Sequence, residues 1–221
     1  MVDYKGVIFD FNGTLFFDND KHILAWNEVS RMIRGRDITE QELHEKFNGT
    51  PNEQIIRYMT NGKAAPGEIN RYSLLKEELY RKYCKEDKNT FHLVDGAVNY
   101  FHWLQRRQIP FTIASASIRE NMDFFRESFD LDRYIEPSKL VYDNGSYENK
   151  VQMFQDAAVK LGVDMKDILI IEDSLSGIVN AYAAGCDKIL VICEKCREKE
   201  YSMYPGVIGT MQTFEHIYDF F

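Results

Sequence analysis

The strongest constraint on the fold is a rhythm. Short apolar runs of strand length alternate with longer segments of helical periodicity. Val7-Ile8-Phe9 is the first run, and it ends in the polar turn Asp10-Phe11-Asn12-Gly13-Thr14. Pro110–Ser115, Asp167–Glu172 and Lys188–Ile192 repeat the pattern, and Lys139–Tyr142 reads as a shorter strand. Helical segments lie between them: Ala97–Arg107, a helix opened by the capping box Ser117-Ile-Arg-Glu120, Lys150–Leu161, and a helix capped by Ser174 that runs through Ala184. Strands that alternate with helices imply a parallel sheet covered on both faces, an α/β fold.

The rhythm is interrupted once. From about residue 18 to residue 90 the chain reads as helix throughout. Thr39-Glu-Gln-Glu42 and Thr50-Pro-Asn-Glu53 are capping boxes, the second with Pro51 at the first helical position. A long apolar stripe follows through Ile69, Tyr72, Leu75, Leu79 and Tyr83. An all-helical insert placed directly after the first strand is therefore expected. In open parallel sheets ligands bind at the carboxyl ends of the strands. Asp10, Ser115 and the Glu172-Asp173 pair fall at three such ends. Two acids closing a very apolar strand are costly to bury without a cation, and carboxylates converging from strand ends suit a hard cation such as Mg²⁺.

Charge and cysteine usage narrow the function. The formal net charge is −8, which opposes nucleic acid and anionic membrane as partners. A phosphate ester would need local positive charge from a metal, a lysine or a helix N-terminus. The N-terminal apolar run is too short for a signal peptide or a membrane helix. Four cysteines, with Cys193 and Cys196 forming a lone CxxC, fit a reduced, cytoplasmic protein without a zinc site.

The motifs Asp-Phe-Asn-Gly-Thr-Leu at 10–15, Ser115 after an apolar strand, a later lysine, and Ile-Ile-Glu-Asp-Ser-Leu-Ser-Gly at 170–177 resemble those of the haloacid dehalogenase superfamily. Glu-Asp-Ser-x-x-Gly followed by Ala-Ala-Gly, with His22 and Trp26 at the entry to the helical segment, resembles the β-phosphoglucomutase-like branch. The resemblance implies a Rossmann-like core over residues 1–16 and 93–221 and a helical cap over 17–92. It further implies a Mg²⁺-dependent phosphatase that works through an aspartyl-phosphate on a small phosphorylated metabolite, as a monomer. By position, Asp10 is the nucleophile. Asp10, the Asn12 carbonyl, Glu172 and Asp173 form the metal site. Thr14, Ser115, Ala116, His22, Thr50 and Arg119 are candidates for phosphate or substrate binding. Lys150 matches the phosphate-pairing lysine best, and Lys139 competes with it.

The chain departs from the pattern in several places. The residue two beyond the nucleophile is usually a second aspartate, the general acid and base of the reaction. Here it is Asn12, and an amide can do neither job, at a cost of about 10²–10⁴ in rate. β-Phosphoglucomutases resemble the chain at Gly49 but carry an arginine where this chain has Asn52, and Lys-Asn where it has Ile118-Arg119. A phosphosugar mutase and a non-catalytic phosphometabolite-binding protein therefore stand as alternatives. Several residues also have purely structural readings. Ser117 and Ser174 would be helix N-caps, Gly177 a packing glycine between helix and sheet, His22 and above all Trp26 ordinary packing at the domain hinge, and Arg119 a solvated first-turn residue.

Overall fold

The structure is a computed structural model that describes residues 3–47 and 50–220. Gly49 lies outside them. The chain divides into two compact units, one of Met1–Phe17 with His92–Phe221 and one of Asp18–Phe91.

The first unit is built on six strands: β1 (Gly6–Phe9), β2 (Phe111–Ile118), β3 (Val141–Asp143), β4 (Ile168–Glu172), β5 (Ile189–Ile192) and β6 (Val207–Met211). All pair in parallel, in the order β3-β2-β1-β4-β5-β6. The pleat divides β1 between two cores. Ile8 joins Ile170, Val191, Phe154 and Ile178 under two helices, Lys150–Leu161 and Leu175–Ala183. Phe9 turns to the opposite face, with ring centroids 5.3 Å from Phe101 and 5.9 Å from Phe214. A strand buried on both faces must be apolar along its whole length, which is why the run reads Val-Ile-Phe without alternation. Sequence reasoning missed β6. It is half-buried, lies at the sheet edge and contains Gly209, so neither a continuous apolar run nor a clean alternation marks it.

The second unit holds α1 (Asn19–Arg34), α2 (Glu40–Glu42) running into a π turn at Leu43–Phe47, α3 (Asn52–Met59) and α4 (Pro66–Glu86). Trp26, Val29, Phe47, Ile55, Ile56, Met59 and Ile69 form its core, as the packing reading of Trp26 expects. Thr39 makes the expected capping box with Glu42. The second box does not form. Pro51 is extended (φ −59°, ψ 144°) and occupies the N-cap itself without a side-chain bond. With Pro51 still extended, the helix starts one residue later than that box requires, so α3 begins at Asn52 and Thr50 is not its cap.

The helices of the first unit are α5 (Ala97–Arg106), α6 (Arg119–Phe129), α7 (Lys150–Leu161), α8 (Leu175–Ala183) and the short α9 (Glu198–Tyr201). The expected start of α6 at Ser117 is corrected. β2 continues through Ile118, whose partner in β3 is Asp143. Strand pairing has overridden the local Ser-x-x-Glu signal. No helix among the described residues is long and apolar enough to cross a membrane.

The second unit also buries charge. The Lys76 ammonium bonds His22 Nδ1 and Glu77 Oε1, each at 2.8 Å. Glu77 Oε1 also accepts from Asn52 Nδ2 at 2.7 Å. Burial opposes the Glu77 charge, but Lys76 and the amide outweigh it and lower its pKa to about 2. A depressed folded pKa contributes stability that is complete above the unfolded value and lost as pH falls toward the folded one. The helical unit should therefore weaken between about pH 5 and pH 2. In Glu77→Gln, unfolding followed by circular dichroism should lose about 2–3 kcal/mol at neutral pH and most of that pH dependence.

Candidate active site

Register places the acids. Phe9 of β1 pairs with Ile171 of β4, so the next residues, Asp10 and Glu172, emerge side by side at the carboxyl ends of the two central strands. Phe9 also pairs with Ile113 of β2, which brings Ser115 to the same end. The loop after β1 is fixed by its own alternation. Phe11 and Phe16 are fully buried, and Phe11 stacks on Phe125 of α6 at 4.2 Å. The Phe11 carbonyl accepts from Leu15 and Phe16 N–H, and Gly13 N–H donates to the Phe16 carbonyl at 2.7 Å. Aromatic residues thus anchor a turn that carries Asp10, Asn12 and Thr14.

Asp10, Glu172 and Asp173 each offer an oxygen within 4.8 Å of the others. Lys150 stands against two of them. Its ammonium donates to Asp10 Oδ1 at 2.7 Å and to Glu172 Oε1. It opens α7, whose N-cap Asn149 accepts from the N–H groups of Val151 and Gln152. Lys139, the competing lysine, lies in a 3₁₀ turn before β3, and its carbonyl accepts from Thr112. Glu172 is fully buried, and its other oxygen accepts from the Asp173 and Ser174 N–H groups and the Ser174 hydroxyl. Thr14 Oγ1 donates to Asp173 Oδ1 at 3.3 Å.

Burial raises the Asp10 pKa to about 7, Lys150 pulls it back, and the Glu172 charge adds to the rise. Burial also opposes the Lys150 charge, but Asp10 and Glu172 outweigh it and push its pKa up. With all four groups ionised, the three carboxylates and Lys150 carry a formal charge of −2. A set of hard oxygen donors with that charge, two of them buried and Asp173 half-buried, fits a divalent cation. It is the one such group of His, Cys, Asp and Glu side chains among the described residues. Cys193 and Cys196 are free thiols outside it.

Ser115 is buried and its hydroxyl donates to Asn12 Oδ1 at 3.4 Å. A closer contact was not foreseen: Ser117 Oγ donates to the same Asn12 oxygen at 2.6 Å. Ser117 therefore belongs to the site rather than to a helix cap. Residues two apart on a strand share a face, so the Ser-Ala-Ser spacing carried the signal. Ala116 between them is exposed. Arg119 is also exposed and pairs with Asp123. His22 and Thr50 belong to the helical unit. The His22 ring stacks on Tyr80 at 4.1 Å and meets Asp18 at 3.2 Å.

The family model of haloacid dehalogenase-like hydrolases matches residues 7–191, and the chain belongs to that family. A crystal structure of a HAD hydrolase of family IA, variant 3, from Entamoeba histolytica is 31% identical. It covers 96% of this chain and 94% of its own, with a TM-score of 0.89. β-Phosphoglucomutase from Clostridium difficile shares the fold at 17% identity and a TM-score of 0.76, covering 98% of this chain and 96% of its own. The phosphorylated carbohydrates phosphatase of Thermotoga maritima is 20% identical over 220 residues, which are 96% of this chain and 95% of that one.

Gly177 is the tightest constraint on the acidic cluster. A Cβ there would lie 1.9 Å from the Glu172 carboxyl carbon, as the helix–sheet packing reading expects. Gly177→Ala must displace that carboxylate and with it the Lys150 contact. We expect a loss of about 1–3 kcal/mol, read as a lower Tm by calorimetry. A parent-like Tm would mean that Glu172 is less tightly held than its bonds suggest.

Proposed function

We propose that the chain is a Mg²⁺-dependent phosphatase that acts on a small phosphorylated metabolite, with Asp10 as the phosphoryl-accepting nucleophile. The observation that carries this reading is the meeting of buried Asp10 and Glu172 with half-buried Lys150 and Asp173 at the ends of β1 and β4. The Thermotoga relative named for phosphorylated carbohydrates supports the substrate class. The all-helical unit would be the cap.

In this reading Lys150 holds Asp10 in place and pairs with the phosphate oxygens, and Ser115 donates a hydrogen bond to the transferring group. Asp10, Asp173 and the Asn12 carbonyl would hold Mg²⁺. Glu172, whose oxygens are taken by Lys150 and by the 173–174 turn, steadies that set from beside it. When bound, the metal lowers the repulsion between the Asp10 carboxylate and an anionic substrate. An Asp10 oxygen bonds to phosphorus as the bond to the leaving group breaks, and water then releases phosphate from the aspartyl-phosphate. Asn12 can neither protonate an alkoxide nor activate that water, so turnover of ordinary esters is slow. A mutase is disfavoured by Asn52, which donates to the Glu77 carboxylate and to Ser73 inside the helical unit.

A screen of phosphorylated metabolites with Mg²⁺ tests the reading, and Asp10→Ala should abolish all turnover. Asn12→Asp should raise alkyl phosphate hydrolysis by about 10²-fold or more and affect reactive donors far less. Equal, small effects on both would show that another group moves the proton. The parent chain, mixed with an acyl phosphate, should give a burst and an acid-stable, hydroxylamine-labile label missing from Asp10→Ala. Steady turnover without trapped label would mean that the site has a working base.

A further inference from the structure

The Asn12 side-chain oxygen is held by two serines of β2. That atom, Oδ1, accepts from Ser117 Oγ at 2.6 Å and from Ser115 Oγ at 3.4 Å. Ser117 is itself placed, because its N–H donates to Ser115 Oγ at 3.2 Å and β2 is paired through Ile118. The amide is planar, so with Oδ1 on the serines the NH₂ group lies on the opposite edge. An amide N–H donates a hydrogen bond without giving up its proton. Such a group can steady an oxygen that departs as a stable anion, but it cannot convert an alkoxide into an alcohol.

We propose that Ser117 is a positioning residue that fixes Asn12 with its NH₂ edge turned away from β2, and that the site so built selects acyl phosphates and phosphoanhydrides over alkyl phosphate esters. This rests on the proposed role of Asp10. The transfer balances without an acid: an Asp10 oxygen bonds to phosphorus, the bond to the leaving oxygen breaks, and its electron pair departs on a carboxylate or a phosphate. The same grip has a consequence that needs no substrate. Asn12-Gly13 is a deamidation-prone pair, in which the Gly13 nitrogen attacks the Asn12 amide carbon, ammonia leaves and water opens the ring. The Phe16 carbonyl holds the Gly13 N–H at 2.7 Å and Ser117 holds the amide, so both reacting groups are restrained.

The test compares the parent chain, Ser117→Ala and Ser117→Thr, with Mg²⁺, on acetyl phosphate and on glycerol 3-phosphate. The parent should prefer acetyl phosphate. Ser117→Ala should lower the rate constant of the burst on saturating acetyl phosphate by about tenfold, as expected when a reacting group loses its placement. Ser117→Thr keeps the hydroxyl and should keep most of the rate. An unchanged burst rate in Ser117→Ala, or a parent that prefers the alkyl ester, overturns the proposal. Peptide mapping after incubation at mildly alkaline pH provides the activity-free arm. Position 12 should deamidate faster in Ser117→Ala than in the parent, and equal rates would refute the grip. If neither donor is turned over, or if Asp10→Ala stays active, it is the phosphatase reading that fails, and the mapping alone then decides the role of Ser117.

Discussion

Everything at the top of the sheet depends on one ammonium held between two buried carboxylates. Lys150 bonds Asp10 and Glu172, and it offsets much of the cost of taking their charges from water. The contact spans the fold: Asp10 ends β1, Glu172 ends β4 and Lys150 opens α7. Slippage of any one element by a residue would turn its side chain to another face. The pairing of Phe9 with Ile171, the Asn149 cap and the missing side chain at Gly177 are therefore one requirement met in three places.

The loop between β1 and the helical unit meets a second requirement, rigidity without secondary structure. Its polar residues gather at the acids, while Phe11 and Phe16 are buried with Phe125 and Phe129 of α6. Gly13 allows the loop to approach closely: its φ is +78° and a Cβ would lie 2.2 Å from Asp173 Oδ2. Stacked rings and one glycine thus hold a nucleophile candidate and a cation-ligand candidate in register, as positioned reacting groups require.

The central part of the fold was legible because a strand buried on both faces has little freedom in composition. Val7–Phe9, Ile168–Ile171 and Ile189–Ile192 announce themselves, and the acids that follow are conspicuous by contrast. What stayed hidden was decided by partners distant in the sequence. Ser117 carries the local pattern of a helix cap, yet pairing with β3 extends the strand past it. Thr50 carries a similar pattern, and Pro51 takes the cap position itself. β6 is an edge strand with Gly209 at its middle. Of the two lysines the sequence offers, Lys150 is the better match and Lys139 its competitor, and the geometry of α7 brings Lys150 rather than Lys139 to Asp10.

Position 12 shows how such a site can keep its architecture while its proton chemistry changes. An aspartate there would add a fourth carboxylate beside Asp10, Glu172 and Asp173, with Lys150 as the ammonium among them. An apolar residue would leave the Ser115 and Ser117 hydroxyls without their acceptor, at about 1–3 kcal/mol for each group left unsatisfied. Asparagine avoids both costs. Its oxygen accepts from the two serines as a carboxylate would, and it brings no charge. What it surrenders is the ability to take up and release a proton. Because Asp10, Lys150 and the metal-fitting acids draw their placement from other contacts, the two functions separate. In the proposed reaction, phosphoryl transfer to Asp10 would require the first set, and residue 12 would govern only the fate of the leaving group and of the attacking water.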